Sequence, residues 1–582
     1  MKVCVVGAGP CGLTTIKQLL DEGHEVVCFE KNPDVGGIWL RDADGADAAQ
    51  MKAYDTLMLT ISMKLMAYSD HPHVSDGSRG EREFYSRAQY FDYLKGYAER
   101  FGLLEHIRAG HEVVDVTRDG TTWRVDVRDA GGAAGAVRAE RFDAVAVCSG
   151  PFATPNRDIA ELEGFTGEIV HSSEYRNNER FRGKRVLIVG LAESGADIVR
   201  EVGDVAAAAT LSIRSYNYLL PRIMNGDRTT DHGTVRSHHH EMLRRSSDEP
   251  FVLDTFWGTS TIAKAVFLAV SVVLGVVTTA LGAVRVATER LVPARRRPKS
   301  ALNPMGEPMF PPKLDVGTVH DDANFELIRT WNRRSHPDGS WAQRTIFCKN
   351  VSFIPHLVSG RVTLNDRGLT HSQGTAITFG DGTSAEFDTV VLCTGFTKES
   401  LSIGDLQVKD GNVRNLYKHF LHPEHQGTVA FIGFVRPFSG GIPVCAEMQA
   451  RYFARVLSGT LTPPADIDER IGREKEWEEY WTALSPRHTE AIPSQVLYLD
   501  ALAREIGCLI PMRMMLTNPK LFIQLWFGSF NPSCYRVVGP HNLGDAALTD
   551  LYSELVDNRR EMAFRMSMLQ LMPTHIHPEH MM

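Results

Sequence analysis

Two glycine-rich turns, and a charged residue of opposite sign downstream of each, hold the most specific chemistry in this sequence. Gly7-Ala8-Gly9-Pro10-Cys11-Gly12 fits G-x-G-x-x-G and joins the strand-like Lys2-Val3-Cys4-Val5-Val6 to a helical run from Leu13 to Leu20. In such a turn the first glycine bends the chain and the second lets a pyrophosphate approach the backbone. The third lets helix and strand pack closely. The helix N-terminus presents free N–H groups and a positive dipole end to the phosphates. The next strand, Glu25 to Phe29, ends in Glu30, 18 residues past Gly12. An acid there accepts hydrogen bonds from a ribose and disfavours a phosphorylated one, so the first turn reads as a site for FAD or NAD.

The pattern restarts with the strand Lys184 to Val189, the turn Gly190-Leu191-Ala192-Glu193-Ser194-Gly195 and a helix from Ala196 to Val202. Ala192 replaces the middle glycine, and its methyl group crowds the pyrophosphate. The following strand, Ala209 to Ile213, ends in Arg214 where the first unit has Glu30. Arginine pairs with a ribose 2′-phosphate, so the second turn reads as an NADPH site.

The elements that must position these turns are βαβ units with apolar, doubly buried strands. Gly36-Gly37-Ile38-Trp39 suits a backbone pressed against a flat ligand. A helix is expected from Ser86 to Leu104, with Tyr90, Tyr93, Leu94 and Tyr97 on one face. Hairpins are expected at Asp119-Gly120 and Asp381-Gly382, and buried strands at Asp143–Cys148, Asp388–Phe396 and Thr428–Gly433. Gly440-Gly441-Ile442-Pro443 opens a helix from Val444 to Leu457 whose N-terminus could face a flavin ring.

An acidic and a basic dinucleotide site in one chain imply electron transfer between flavin and NADPH. No CxxC or CxxxxC pair is present for a disulfide reductase, which leaves an oxidase or a monooxygenase. Phe165-Thr166-Gly167-Glu168-Ile169-Val170-His171-Ser172-Ser173-Glu174-Tyr175 fits F-x-G-x-x-x-H-x-x-x-Y, the fingerprint of class B flavin monooxygenases. The chain resembles the flavin-containing monooxygenases from Val3 to about His541. Tyr68-Ser69-Asp70-His71-Pro72, Glu447-Met448-Gln449-Ala450-Arg451, Tyr498-Leu499-Asp500, Asn518-Pro519-Lys520-Leu521 and Tyr535 to Pro540 carry the likeness further. Tyr175 followed by Arg176 is more similar to the heteroatom-oxidising branch than to Baeyer–Villiger enzymes.

The resemblance implies an α/β fold of two Rossmann-like dinucleotide-binding domains, the NADPH domain inserted into the FAD domain. The expected boundaries are 1–160 and 388–582 for the FAD domain and 161–387 for the NADPH domain, with an apolar insertion around 225–312. It also implies that NADPH reduces FAD and O2 forms a C4a-hydroperoxyflavin, which a nitrogen or sulfur nucleophile attacks, as in N,N-dimethylaniline monooxygenase. The protein then supplies positioning and water exclusion, and His171 is expected to link domains. Thr60 stands where the family usually has asparagine, and is the expected catalytic residue. The expected cofactor-binding set is Gly7, Ala8, Gly9, Pro10, Cys11, Gly12, Glu30, Gly37, Ile38, Trp39, Leu59, Thr60, Val113, Gly190, Glu193, Ser194, Gly195, Ala196, Asp197, Arg214 and Gly395. Two other readings stand beside this one: Baeyer–Villiger oxygenation of a ketone, and a nucleotide-binding redox sensor without turnover.

At 582 residues with 43% hydrophobic and 23% charged side chains, the chain has room for several globular domains. A net charge of −8 gives no reason to expect a nucleic-acid partner. The nine dispersed cysteines suggest a reducing, cytoplasmic compartment, and no leader is read before the first strand. Ala265 to Val284 carries no charge and is followed by Arg285, Arg290, Arg295, Arg296, Arg297 and Lys299. Flavin-domain pieces on both sides argue against a single crossing, so peripheral or monotopic membrane contact through 262–299 is expected, with a helix buried in the fold or facing an oligomer partner as the alternative. The expected partners are a small-molecule substrate and O2, with a homodimer left open. No metal site is expected: His238-His239-His240 reads as a solvated loop.

Overall fold

The computed structural model describes residues 1–40, 52–73, 83–129, 137–224, 228–236, 239, 302, 305–308, 322–336, 347–438 and 440–553. The stretch 265–284 and its basic flank lie outside them. Among the described residues no helix is long and apolar enough to cross a membrane.

The chain opens with β1 (Lys2–Val6), α1 (Pro10–Asp21), β2 (Glu25–Glu30), β3 (Ile107–Ala109) and β4 (Ala144–Val147). A second unit follows: β5 (Glu168–His171), β6 (Arg185–Val189), α2 (Glu193–Val205), β7 (Ala208–Ser212), β8 (Val362–Asn365) and β9 (Thr389–Leu392). The chain then returns to the first unit with β10 (Val429–Phe431), α3 (Ile442–Leu457) and α4 (Gln495–Ile506). The first sheet has the order β10-β4-β1-β2-β3 and the second β8-β7-β6-β9-β5, and every pairing within both is parallel. The architecture is therefore α/β, with one Rossmann-like unit inserted into another.

The strands read as continuous apolar runs because helices or loops cover both faces of each sheet. Val3, Cys4, Val5, Ala144, Val145 and Ala146 are fully buried, as are Val186, Leu187 and Ile188 of the second sheet. Pro10 fits the first turn of α1, where its missing N–H costs nothing. Behind the first sheet α1 packs on α3, and the His24 ring bonds the Ala454 carbonyl at 3.0 Å. The expected tyrosine-lined helix spans Arg87–Arg100 and starts in a capping box between Ser86 and Gln89. Both hairpins form, at His111–Asp119 with Thr122–Asp129 and at Ala376–Phe379 with Ser384–Glu386.

One strand lies elsewhere than its expected domain. β9, placed by the sequence boundary at 387/388 with the flavin unit, pairs on both sides within the second sheet, Val390 opposite Leu187 and Ile169. Its apolar run suits the centre of either sheet, so periodicity could not assign it. His239 also departs from expectation. Instead of lying in a solvated loop it is buried, with Nδ1 2.8 Å from Ser494 Oγ; His238 and His240 lie outside the described residues.

Candidate active site

The first turn is built as its glycines require. Gly7 has φ +97° and donates its N–H to the Phe29 carbonyl at 2.8 Å, fixing the turn to the end of β2. A side chain on Gly12 would place its Cβ 1.8 Å from the Gly7 carbonyl oxygen, so only glycine lets α1 start this close to β1. Gly37 has φ +58°, and a Cβ on it would lie 3.1 Å from the Gly9 Cα, so the two bare backbones leave a slot. Glu30 is 3% exposed and accepts the Ala8 N–H at 2.6 Å and the Asn32 N–H at 2.8 Å. Burial pushes its carboxyl above the usual range, against those two bonds. Each oxygen keeps a free acceptor site for a ribose hydroxyl.

The second turn repeats the arrangement. Gly190 has φ +93° and donates to the Ser212 carbonyl at 2.9 Å. A Cβ on Gly195 would lie 2.9 Å from the Gly190 carbonyl oxygen. Glu193, the first residue of α2, accepts the Lys349 N–H at 2.6 Å, and burial raises its carboxyl to about 7. An acid at a helix start repels an approaching phosphate less when it holds its proton. Arg214 follows the end of β7, exposed to solvent, and among the described residues its guanidinium has no hydrogen bond or ion pair. A free cation at that edge fits a 2′-phosphate.

Both turns open on one cavity of about 1060 Å³. Gly7, Gly9, Pro10, Cys11, Glu30, Gly37, Ile38, Trp39, Leu59, Thr60 and Val113 line it from the first unit, and Glu193, Ser194, Gly195 and Gly395 from the second. Ala192, the replacement for the middle glycine, also lines it. Trp39 is held edge-on against Tyr90, ring centres 4.8 Å apart. Thr60 is half-buried, and its hydroxyl makes no hydrogen bond among the described residues. Gly440 to Pro443 reach the wall at the start of α3.

Six of the expected residues stand outside the cavity. Ala8, Gly12 and Gly190 form the turns from behind. Ala196 is fully buried, and Asp197 accepts Tyr54 Oη–H at 2.5 Å and Asn350 Nδ2–H at 2.8 Å beneath α2. Arg214 lies at the rim of the second unit. The cavity also gathers residues that the sequence did not single out: Lys52, Lys349, Arg436 and a set of rings including Phe347, Phe396 and Phe438. Lys52 donates to the Phe152 carbonyl at 2.5 Å, and burial lowers its ammonium to about 8. Lys349 pairs with the buried Asp231, which also accepts the Ser62 N–H at 2.6 Å. A lone cation inside the apolar run Phe431 to Phe438 was a signal available in the sequence for Arg436.

His171 is fully buried. Its Nδ1 accepts the Ser173 N–H at 3.1 Å, which leaves Nε2 to donate to the Gly395 carbonyl at 2.9 Å. Burial lowers its pKa, keeping the ring neutral. Both nitrogens are occupied, so the ring fixes the Gly395 turn to the fingerprint segment.

The family profile described as flavin-binding monooxygenase-like matches residues 1–255 and 337–556. The chain belongs to this family. It is 32% identical over 550 residues to a 4-hydroxybenzoate brominase (decarboxylating) of Marinomonas mediterranea, covering 94% of this chain and 91% of that one. It is 27% identical over 556 residues to human flavin-containing monooxygenase 1, covering 93% of this chain and 89% of the other. Among solved structures, S-allyl-L-cysteine S-oxygenase of Allium sativum shares the fold at TM-score 0.53 and 20% identity, over 95% of this chain and 98% of that chain. Cyclohexanone monooxygenase does so at TM-score 0.52 and 15% identity, over 87% and 97%. This family member is accordingly an enzyme, a flavin-dependent monooxygenase whose cofactors are FAD and NADPH.

Proposed function

We propose that the enzyme transfers one oxygen atom from O2 to a nucleophilic nitrogen or sulfur of a small molecule, with FAD on the first glycine turn and NADPH on the second. The observation that carries this reading is the single cavity onto which both turns open. FAD, once reduced, supplies the activation of O2. The chain's own residues bind, orient and exclude water. Glu30 offers acceptor sites to the flavin ribose, and Arg214 offers paired donors to the 2′-phosphate. Thr60 presents one hydroxyl to the reacting oxygen or the nicotinamide, where an asparagine amide would present two donors. No side chain need act as nucleophile, and His171, with both nitrogens engaged, is not a base. NADPH-dependent O2 uptake, with mass spectrometry for gain of one oxygen across amines, sulfides and ketones, tests the reading. Oxidised amine or sulfide is expected. Lactone or ester formation would place the enzyme with the Baeyer–Villiger oxygenases, and bound FAD without turnover would make it a sensor.

A second reading is favoured by the relatives at 32% identity that act on 4-hydroxybenzoate: the carbon of an electron-rich phenol is then the nucleophile. Adding 4-hydroxybenzoate to the panel, with and without bromide, separates the two.

We also propose that the apolar stretch 265–284 attaches the protein to membranes. Burying about twenty apolar side chains in lipid is worth several kcal/mol, more than a basic flank alone, whose attraction salt screens. Detergent should release the protein and high salt should not. Recovery of the intact chain without detergent would reject this.

A further inference from the structure

Arg436 is a half-buried arginine in the wall of the cavity. Its backbone N–H is used, donating to the Glu490 carbonyl at 2.7 Å. Its guanidinium makes no hydrogen bond or ion pair among the described residues. Of the other cations lining the cavity, Lys31 is exposed to solvent, while Lys349 is committed to Asp231, Arg157 to Glu174 at 2.7 Å, and Lys52 to the backbone carbonyls of Phe152 and Ala153. Arg436 influences the charge of two carboxyls without reaching ion-pair distance of either, and Glu193 Oε2 is buried without a hydrogen-bond partner. Glu490 pairs with His488 at 2.8 Å, and Glu193 takes the Lys349 N–H at 2.6 Å. Removing a guanidinium from bulk water without a partner is unfavourable, and such groups in proteins are ordinarily paired. Five donors in a planar fork therefore face the cavity unspent.

The surroundings narrow the partner. Arg436 sits in the loop between β10 and α3, at the junction of the units, where Phe438 meets Phe347 with ring centres 6.0 Å apart and planes 30° from parallel. Both glycine turns already supply helix N-termini for the cofactor pyrophosphates, and Arg214 is free for the 2′-phosphate. A cation and two aromatic rings lining one cavity suit a planar molecule carrying an anionic oxygen group.

We propose that Arg436 is the anchor for the carboxylate of an aromatic acid substrate, bound in bidentate fashion, with Phe347 and Phe438 against its ring. This rests on reading the cavity as a monooxygenase's substrate chamber, and it narrows the substrate class to small aromatic carboxylates. The same donors could instead meet a phosphate of NADP+, and the experiment separates the two.

The FAD-loaded enzyme is titrated with benzoate, with benzamide as its neutral counterpart, and with NADP+, following binding by calorimetry and by the flavin absorbance shift. Benzoate should bind more tightly than benzamide. Arg436→Gln should weaken benzoate roughly 10- to 100-fold, as expected for loss of a charge-assisted pair, and leave benzamide and NADP+ within about two-fold. Arg436→Lys should restore part of the loss, as a point charge without the fork. Equal weakening of benzoate and benzamide would show a packing role and overturn the proposal. Weakening confined to NADP+ would assign the arginine to a cofactor phosphate and overturn it too, as would benzoate binding that ignores the substitution or is absent from the wild type. Bleaching of the flavin by NADPH is measured in the same preparations: its absence sinks the monooxygenase reading, whereas bleaching with an unaltered benzoate titration sinks only the role of Arg436.

Discussion

Alanine at Gly12 and alanine at Gly9 should separate folding from flavin binding, although the two positions are three residues apart in one turn. At Gly12 two effects oppose each other. The residue is helical, so alanine gains about 1 kcal/mol of helix propensity. Against this, its Cβ would lie 1.8 Å from the Gly7 oxygen and 2.9 Å from the Gly7 carbonyl carbon. The obstacle is backbone, and that backbone is tied to Phe29 by the Gly7 hydrogen bond of 2.8 Å. Overpacking at such a site costs about 3 kcal/mol or more, so the clash wins by about 2 kcal/mol. For a domain of this size that lowers Tm by roughly 4–8 °C. At Gly9 the balance reverses. Its φ is −72°, open to any residue, and a Cβ would sit 3.6 Å from the Gly37 Cα, an ordinary contact. The apoprotein should keep its Tm, but the methyl group fills the slot between the two glycines, and FAD affinity should fall about 100-fold or more. Apoprotein melting followed by circular dichroism, and flavin content after gel filtration, read the two effects. A Gly9→Ala protein that purifies fully yellow would refute the first-site assignment. A Gly12→Ala protein that melts with the wild type would refute the packing argument.

Three further outcomes follow from the second site and the cavity wall. Arg214→Ala should raise the KM for NADPH roughly 10- to 100-fold, from loss of about 1.5–3 kcal/mol of charged hydrogen bonding; NADH turnover should barely change, and equal losses with both would remove the 2′-phosphate contact. Glu193 has its folded pKa raised by burial to about 7, so the folded state holds its proton more tightly than the unfolded chain. Its stabilising share is full below the unfolded value near 4.5 and is lost as pH rises towards 7. One carboxyl oxygen takes the Lys349 N–H and the other is buried without a partner, so we expect the loss to be on the order of 3 kcal/mol. Glu193→Gln should flatten that part of the apoprotein's Tm–pH curve, and an unchanged slope would show that the group titrates normally. Thr60→Asn, by adding a second donor, should lower the H2O2 released per NADPH consumed; an equal or larger leak would count against Thr60 as a contact to the reacting oxygen.

What the sequence made legible was local. A glycine turn declares its own geometry, so the steric demands at Gly7, Gly12, Gly190 and Gly195 could be anticipated residue by residue, as could both hairpins and the tyrosine face of Arg87–Arg100. Which sheet receives a strand is not local. β9 is apolar throughout, as is every strand of a parallel sheet covered on both faces, and its partner is chosen by the crossover that precedes it. The buried ion pairs, including the one that holds Lys349 in the cavity wall, were hidden for the same reason. Lys349 and Asp231 are 118 residues apart and Arg236 and Asp500 264 apart, yet each pair is buried and in contact. No spacing rule connects them.

The scattered family-like segments acquire a common physical purpose once their contacts are seen. Tyr68-Ser69-Asp70, Glu447 on α3 and Arg536 near the end of the described chain are far apart in sequence but meet in one buried cluster. Arg536 Nη2 lies 2.8 Å from Asp70 and 2.8 Å from Glu447, and its Nε donates to Ser69 Oγ at 2.9 Å. Lys17 of α1 adds a second cation 2.9 Å from Asp70, so two positive and two negative groups balance. Burial works against the charge on Asp70, but Arg536 and Lys17 outweigh it and hold the carboxyl below its usual range. Such a cluster adds little net stability over an apolar core, because each ion must first leave water. Its effect is on position. The arginine meets its carboxylates and hydroxyl together only when α1, α3 and the C-terminal segment are in register. The same two helices carry Gly9 and Gly441 at their N-termini, where the backbone meets the cavity. The cluster thus sets the spacing of two helix ends that open on the cavity, from residues outside its wall.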